Sequence, residues 1–310
     1  KKRLVRAACR LLRLAVPRAA DTAAFAKIVR KVGVPLIADV HFSPARAIEA
    51  IEAGAAKIRL NPGNITNRRD ILRIIDAAAM HKTAVRIGVN EASIRNPKAG
   101  DVPPARRAAL MLREMTRYVR LFERRGFTQI VLSAKSSDTL RTIEINRSIA
   151  VEFDYPMHVG LTHAGLPEDA RIPSAAAIGA LLAEGIGDTI RVSLAGDPVA
   201  EAKMAAEILV ALGLAGRSGP ELIVCPTCGR AEIDVVRLAR RVKKAISGID
   251  KPLRIAVMGC VVNGPGEAAD ADLAVCAAKN KGFIYRRGRK VSTVPEARII
   301  PAMLEQLAGL

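Results

Sequence analysis

Residues 35–90 read PLIADVHFSPARAIEAIEAGAAKIRLNPGNITNRRDILRIIDAAAMHKTAVRIGVN. Three short runs rich in β-branched residues, Pro35–Val40, Lys57–Leu60 and Ala84–Asn90, alternate with two alanine-rich segments whose apolar residues recur at helical spacing. Such alternation marks βα units and a parallel sheet. The pattern continues upstream to Leu11–Val16 and downstream to Gln129–Lys135, Met157–Thr162 and Thr189–Leu194. Seven strands before about residue 217 are one short of a closed (β/α)8 barrel. The chain opens on a helix-like segment, so the expectation is a TIM-type barrel whose first strand lies upstream of Lys1. A doubly wound open sheet is the alternative, but no Gly-x-Gly-x-x-Gly turn follows an early strand.

Gly213–Pro220 (GLAGRSGP) reads as a linker. Beyond it come a strand at Leu222–Val224, a basic helix near Ile233–Ile246 and a strand at Leu253–Met258. The expected organisation is a barrel over 1–217 and a smaller α/β domain over 218–310. Half of the 310 residues are apolar and a quarter charged, which excludes a largely disordered chain. No apolar stretch reaches the roughly 18 uncharged residues of a membrane span. Lys1–Ala20 carries seven basic residues and no acid, but they are interleaved with apolar ones, so the segment reads as an amphipathic helix rather than a secretory signal. The net charge of +19 directs attention to anionic partners, while 3% aromatics and no tryptophan argue against a base-stacking single-strand binder. Five cysteines, an odd number, are wrong for a secreted disulfide scaffold and point to a reducing, cytoplasmic setting.

Cys225-Pro226-Thr227-Cys228 follows a strand. Alone, such a pair serves zinc, a redox dithiol or an iron–sulfur cluster equally well. Cys260 ends another strand and enters Val261–Glu267 (VVNGPGE), a turn able to bring backbone amides and the Glu267 carboxylate to the same metal. Three thiolates and one oxygen suit an iron–sulfur cluster with one distinct iron, and zinc accepts the same set. Spacing alone does not choose between Glu267 and Cys276 as the fourth ligand.

Cations also fall inside strands. By period-two alternation Arg86, Gly88 and Asn90 share a face, as do Arg59 with Asn61, Ser133 with Lys135, and Arg191 with Ser193. Buried guanidinium groups are costly without anions. Near the C-terminal ends of barrel strands they make a phosphate pocket. The competing reading pairs Arg59 or Arg191 with Asp39 or Asp188 in a structural ion pair. Asp39 and His41 share a face as a potential acid/base pair; His41, His158 and His163 each also fit a structural, hydrogen-bonded role.

The blocks Cys225–Arg230 (CPTCGR) and Val257–Glu267 (VMGCVVNGPGE) resemble the 4-hydroxy-3-methylbut-2-enyl diphosphate synthase family of the methylerythritol phosphate isoprenoid pathway. So do Ile37–Phe42 (IADVHF), Ile58–Asn64 (IRLNPGN), Arg86–Asn90 (RIGVN), His158–Gly165 (HVGLTHAG) and Gly185–Leu194 (GIGDTIRVSL), collinear over nearly the whole chain. The resemblance implies a barrel joined to an iron–sulfur domain that holds a [4Fe-4S] cluster on Cys225, Cys228, Cys260 and Glu267. Cys9 and Cys276 are then small buried hydrophobes. It implies diphosphate contacts from Arg13, Arg59, Arg86, Asn90, Lys135 and Ser193 to 2-C-methyl-D-erythritol 2,4-cyclodiphosphate, which is reduced with ring opening and loss of water. Glu267 is the exchangeable ligand, and His163 stands in a catalytic position where the family usually has glutamate. Pro173 stands where the family usually has lysine. A head-to-tail homodimer and an acidic ferredoxin or flavodoxin donor are also implied, and Arg286–Lys290 (RRGRK) is a candidate docking patch with a solvated hairpin as its alternative. Two rival readings remain at this stage: a degenerate synthase that keeps the cluster, and a basic zinc-containing RNA-binding protein.

Overall fold

Each of the seven runs contains a strand in the computed structural model, which describes residue 4 and residues 9–61, 63–94, 102–162 and 165–310. They are β1 (Leu12–Ala15), β2 (Leu36–Asp39), β3 (Lys57–Leu60), β4 (Ala84–Asn90), β5 (Ile130–Lys135), β6 (His158–Val159) and β7 (Thr189–Ile190). The expected N-terminal helix lies mostly outside the described residues. Helices Ala19–Val29, Pro44–Glu52, Arg68–Met80, Pro104–Glu123, Thr139–Glu152, Pro167–Ala183 and Pro198–Ala211 fill the connections. Several start on a side-chain cap: Ser43, Asn67, Asp138 and Asp197 each accept a backbone N–H from the first turn.

Strands β1 to β5 form one parallel sheet in sequence order. The register sorts their side chains onto two faces. Leu12, Leu14, Leu36, Ala38, Ile58, Leu60, Val85, Ile87, Ile130 and Leu132 point one way, toward the helices. There they join Ile51, Ile74, Ile75, Met111, Met115 and Phe122 in a continuous core. Each fully buried aliphatic or aromatic side chain contributes about 1.5–3 kcal/mol. Arg13, Asp39, Lys57, Arg59, Arg86, Gly88, Asn90, Ser133 and Lys135 occupy the opposite face.

Among the described residues the seven strands form two separate ladders rather than one closed ring. β6 and β7 pair only with each other, and one bridge, Leu132 with Met157, ties them to β5. Among the described residues no ladder returns from β7 to β1. Both strands are two residues long, since Gly160, at φ +152°, turns the chain out of extended pairing after Val159. The unit is thus α/β with parallel strands.

The chain divides into two compact units, Lys1–Leu214 and Ala215–Leu310. In the second, β8 (Glu221–Val224), β9 (Arg254–Met258) and β10 (Leu273–Ala278) run parallel. Then β11 (Lys281–Arg286) and β12 (Arg289–Pro295) follow as antiparallel hairpins, giving a mixed sheet. Asn280 and the Arg287-Gly288 pair adopt the positive φ that such tight turns require. Helices Val235–Ala245 and Ile299–Leu307 cover one side through Val235, Leu238, Val242, Ile299 and Met303. No described helix is long and apolar enough to cross a membrane.

Candidate functional site

The polar face of the first unit sets five cations, Arg13, Lys57, Arg59, Arg86 and Lys135, beside one carboxylate, Asp39. Asp39, from β2, accepts ion pairs from Arg13 Nε and Arg59 Nη1, each at 3.5 Å, and has His41 Nε2 at 3.8 Å. The structural pairing of Arg59 with Asp39 therefore exists inside the cationic cluster rather than instead of it. Arg191 does not join Asp39 or Asp188. It lies 3.3 Å from Glu201, while Asp188 accepts the Met157 amide at 2.7 Å.

One acid does not balance this group. Arg86 is buried; desolvation first, then the charges of Arg13 and Arg59, push its pKa down to about 9. A guanidinium scarcely deprotonates in a protein, so Arg86 keeps a buried positive charge that its surroundings oppose. Lys135 is driven well below its usual value by burial and by Arg86, Arg191, Arg13 and Arg59. Burial and Arg86 lower Lys57 as well. The Nε atoms of Arg59 and Arg86 are buried without a hydrogen-bond acceptor. Two donors left open in a cationic cup are what a phosphate group satisfies.

Lys135 Nζ stands 3.4 Å from His158 Nε2, and His158 Nδ1 is 2.9 Å from the Thr189 hydroxyl. Burial and the Lys135 charge hold His158 neutral, its pKa well below the ordinary range. With Nδ1–H donating to Thr189, Nε2 is free to accept from the lysine. Sequence reading gave His158 a structural role and did not connect it to Lys135. It also passed over Gly160, where a Cβ would sit 2.2 Å from the Arg191 carbonyl oxygen and 3.1 Å from Lys135 Nζ. Only glycine fits there. Asn90 faces Lys135 across the β4–β5 register, and Ser193 Oγ donates to the Leu161 carbonyl at 3.1 Å. Buried Glu91, next in chain, is ion-paired with Arg141 and lies 3.9 Å from Arg107. His163 lies outside the described residues. Pro173 sits within the helix Pro167–Ala183.

In the second unit, Cys225, Cys228, Cys260 and Glu267 share the wall of one cavity with Arg230, Asn263 and Gly264. The Cys225–Cys228 turn is shaped by Thr227 in the left-handed region and by Ala231 N–H donating to the Cys228 carbonyl. Gly259 lets the walls meet, since a Cβ there would be 2.4 Å from Val235. Backbone amides of Asn263, Val262 and Gly264, with the Arg230 charge, lower the Cys260 thiol pKa against the opposing effect of burial. Cys260 is thereby biased toward the thiolate that metals bind. Cys276 behaves oppositely: burial, then the Cys260 charge, push its pKa up to about 12. It lies behind the wall against Gly264, whose Cβ would meet its sulfur at 3.2 Å, and it does not line the cavity. Cys9 is a half-buried thiol donating to the Leu11 carbonyl in the first unit. Among the described residues, no three His, Cys, Asp or Glu side chains converge tightly enough to grip a single metal ion.

Comparison with known proteins gives a consistent picture. A family profile described as the GcpE TIM-barrel domain matches residues 1–206, and one described as the GcpE protein C-terminal domain matches 221–309. A protein of Caldanaerobacter subterraneus subsp. tengcongensis named 4-hydroxy-3-methylbut-2-en-1-yl diphosphate synthase (flavodoxin) is 44% identical over 99% of this chain and 86% of its own. Synthases of the same name from Malacoplasma penetrans and Streptomyces avermitilis are 42% and 45% identical, covering 96% and 98% of this chain and 82% and 78% of theirs. Among solved structures, a Yersinia pestis dihydropteroate synthase overlays at TM-score 0.49 and 13% identity, over 68% of this chain and 84% of that one.

Proposed function

The chain belongs to the GcpE family and is an oxidoreductase, a 4-hydroxy-3-methylbut-2-en-1-yl diphosphate synthase of isoprenoid biosynthesis; from that premise we propose how its two clusters of residues divide the work. The first unit is read as a TIM-type barrel, as the matching profile is described, whose polar face holds the cyclic diphosphate substrate. The observation that carries this reading is the surplus of buried cations over Asp39, with two buried guanidinium Nε atoms lacking acceptors.

Arg13, Arg59, Arg86 and Lys135 hold the two phosphates, with Asn90 and Ser193 at the strand ends. Asp39 fixes the Arg13 and Arg59 side chains. His158, held by Thr189, keeps Lys135 directed at the phosphate. Concentrated positive charge stabilises the diphosphate as a leaving group, so the tertiary C–O bond opens with its electron pair on phosphate oxygen. The substrate hydroxyl needs a proton to depart as water, and His163 is placed by sequence to donate it.

Cys225, Cys228, Cys260 and Glu267 are the proposed ligands of a [4Fe-4S] cluster. The donor set fits: three thiols on one wall, one of them biased to thiolate by three amides, and one carboxylate beside them. When bound, the cluster supplies the two electrons of the reduction. Glu267 is the exchangeable ligand, because soft iron–sulfur sites hold thiolate more firmly than oxygen. Flavodoxin, named for the relatives, is the proposed donor. The reaction needs both residue clusters at one substrate, and they belong to different units; a head-to-tail homodimer would bring one protomer's cysteine cavity to its partner's barrel. Anaerobic turnover of the cyclodiphosphate with a chemical reductant tests the assignment. Product formation in the wild type that is abolished by Cys260→Ala and by Arg86→Met is expected; turnover that persists in either variant would refute the roles given to them.

A further inference from the structure

We infer that the electron donor docks on the exposed face of the helix Val235–Ala245, an inference that rests on the flavodoxin-dependent reading above. This helix carries Arg237, Arg240, Arg241, Lys243 and Lys244, all exposed, and contains no acid. Among the described residues none of the five side chains has an acidic partner. Its other face, Val235, Leu238, Ala239 and Val242, is buried in the core of the second unit, so the cationic stripe is fixed outward.

Stability does not explain the stripe. Like charges three and four residues apart on a helix repel, as Arg237 does with Arg240 and Arg241, and Arg240 with Lys244. Lys243 and Lys244 complement the helix C-terminus, but Arg237 stands in the first turn, where a cation opposes the dipole. Elsewhere on this chain surface arginines are commonly neutralised by a nearby acid, as in Arg117 with Glu114, Arg125 with Asp76 and Arg147 with Glu184. A row kept free of acids matches a partner whose surface is acidic.

The helix also starts beside the electron-accepting site. Its first residue, Val235, packs on Gly259 in the cavity wall, and the preceding loop is tied to that wall by Glu232 N–H donating to the Gly259 carbonyl. Cys228 is exposed nearby in the chain. The hairpin Arg286–Lys290 fits the role less well because three of its four cations are engaged. Arg286 donates to the Gly309 carbonyl at 2.6 Å, Arg287 reaches Asp272 at 4.0 Å, and Lys290 stacks over Phe283 at 4.4 Å.

The test titrates the full-length, anaerobically purified protein with an oxidised bacterial flavodoxin at about 0.05 and 0.3 M salt. The triple variant Arg237→Glu, Arg240→Glu, Lys244→Glu should weaken binding by about tenfold or more and remove most of the salt dependence. The milder triple Arg237→Gln, Arg240→Gln, Lys244→Gln, which keeps helix propensity, should fall between it and wild type. The hairpin variant Arg287→Glu, Arg289→Glu should stay within about twofold of wild type. Flavodoxin-driven turnover should follow the affinities, while turnover with a chemical reductant stays at the wild-type rate. Wild-type affinity in both helix variants, no flavodoxin binding by the wild type, an equal loss in the hairpin variant, or tighter capture of a random-sequence RNA by the same helix would each overturn the inference. Absence of wild-type turnover with either reductant would instead overturn the reaction, and the titrations would still decide the docking surface.

Discussion

Replacing Arg86 with methionine should make the first unit more stable and less able to bind phosphates. Arg86 is 4% exposed, its Nε has no acceptor, and its charged neighbours include Arg13 and Arg59 against the single carboxylate Asp39. A fall in pKa from 12.5 to about 9, at ~1.4 kcal/mol per decade, puts the penalty on the charged form near 5 kcal/mol. Methionine removes that penalty and refills most of the stem volume, but it loses some packing; a net gain of about 1–3 kcal/mol follows. For a unit of this size that is a rise of about 3–10 °C in midpoint. The wild type should recover the difference when an anion binds, since ligand at a hundredfold excess over Kd adds about 2.7 kcal/mol. The chain has no tryptophan, so scanning calorimetry with and without inorganic pyrophosphate at low salt is the assay. A variant less stable than wild type that keeps the full pyrophosphate shift would refute the view that this charge is stored for an anion.

Other changes probe different contacts. Gly160→Ala would place a Cβ 2.2 Å from the Arg191 carbonyl oxygen; the strand must move, costing about 1–3 kcal/mol, read as a lower denaturant midpoint together with weaker pyrophosphate binding. His158 is held neutral by burial and Lys135, its pKa well below 6.5. The unfolded chain therefore takes up a proton below 6.5 that the folded one refuses, and stability should fall by up to ~1.4 kcal/mol per pH unit on acidification. Denaturant titrations across that range should show His158→Gln lacking this part of the slope; an unchanged slope would place the protonation elsewhere. Cys276→Ser should leave iron and sulfide content at the wild-type level, whereas Cys260→Ser should reduce both sharply, and the reverse pattern would exchange their roles.

Strands β1 to β5 can be read to within about a residue because they alternate: one face of each is aliphatic and the other carries a charged side chain such as Arg13, Asp39, Arg59, Arg86 or Lys135; β6 and β7 stop three and four residues short of the ends of the runs Met157–Thr162 and Thr189–Leu194. That same alternation announced a cationic face before any register was known. Period two could not reveal pairing partners between distant strands. The competing structural reading pairs Arg191 with Asp39 or Asp188, whereas it meets Glu201, which projects from the following helix. Nor could it foresee the meeting of Lys135 and His158, which depends on the close approach that Gly160 permits. In the second unit the sequence reading assigns no strand to β10, β11 or β12, although it offers a hairpin at Arg286–Lys290, where β11 turns into β12. Leu273–Ala278 (LAVCAA) is rich in alanine, which has little strand preference. The turn pairs at Asn280 and Arg287-Gly288 were the available hairpin signals. Spacing left Glu267 and Cys276 equal; burial separates them, as only Glu267 reaches the cavity.

Iron and acid-labile sulfide analysis of the protein purified without oxygen tests the central claim most directly. About four irons and four sulfides per chain, lost together when Cys225, Cys228 or Cys260 is changed to alanine, are expected. A colourless protein that holds zinc, or iron content indifferent to those three substitutions, would contradict the account.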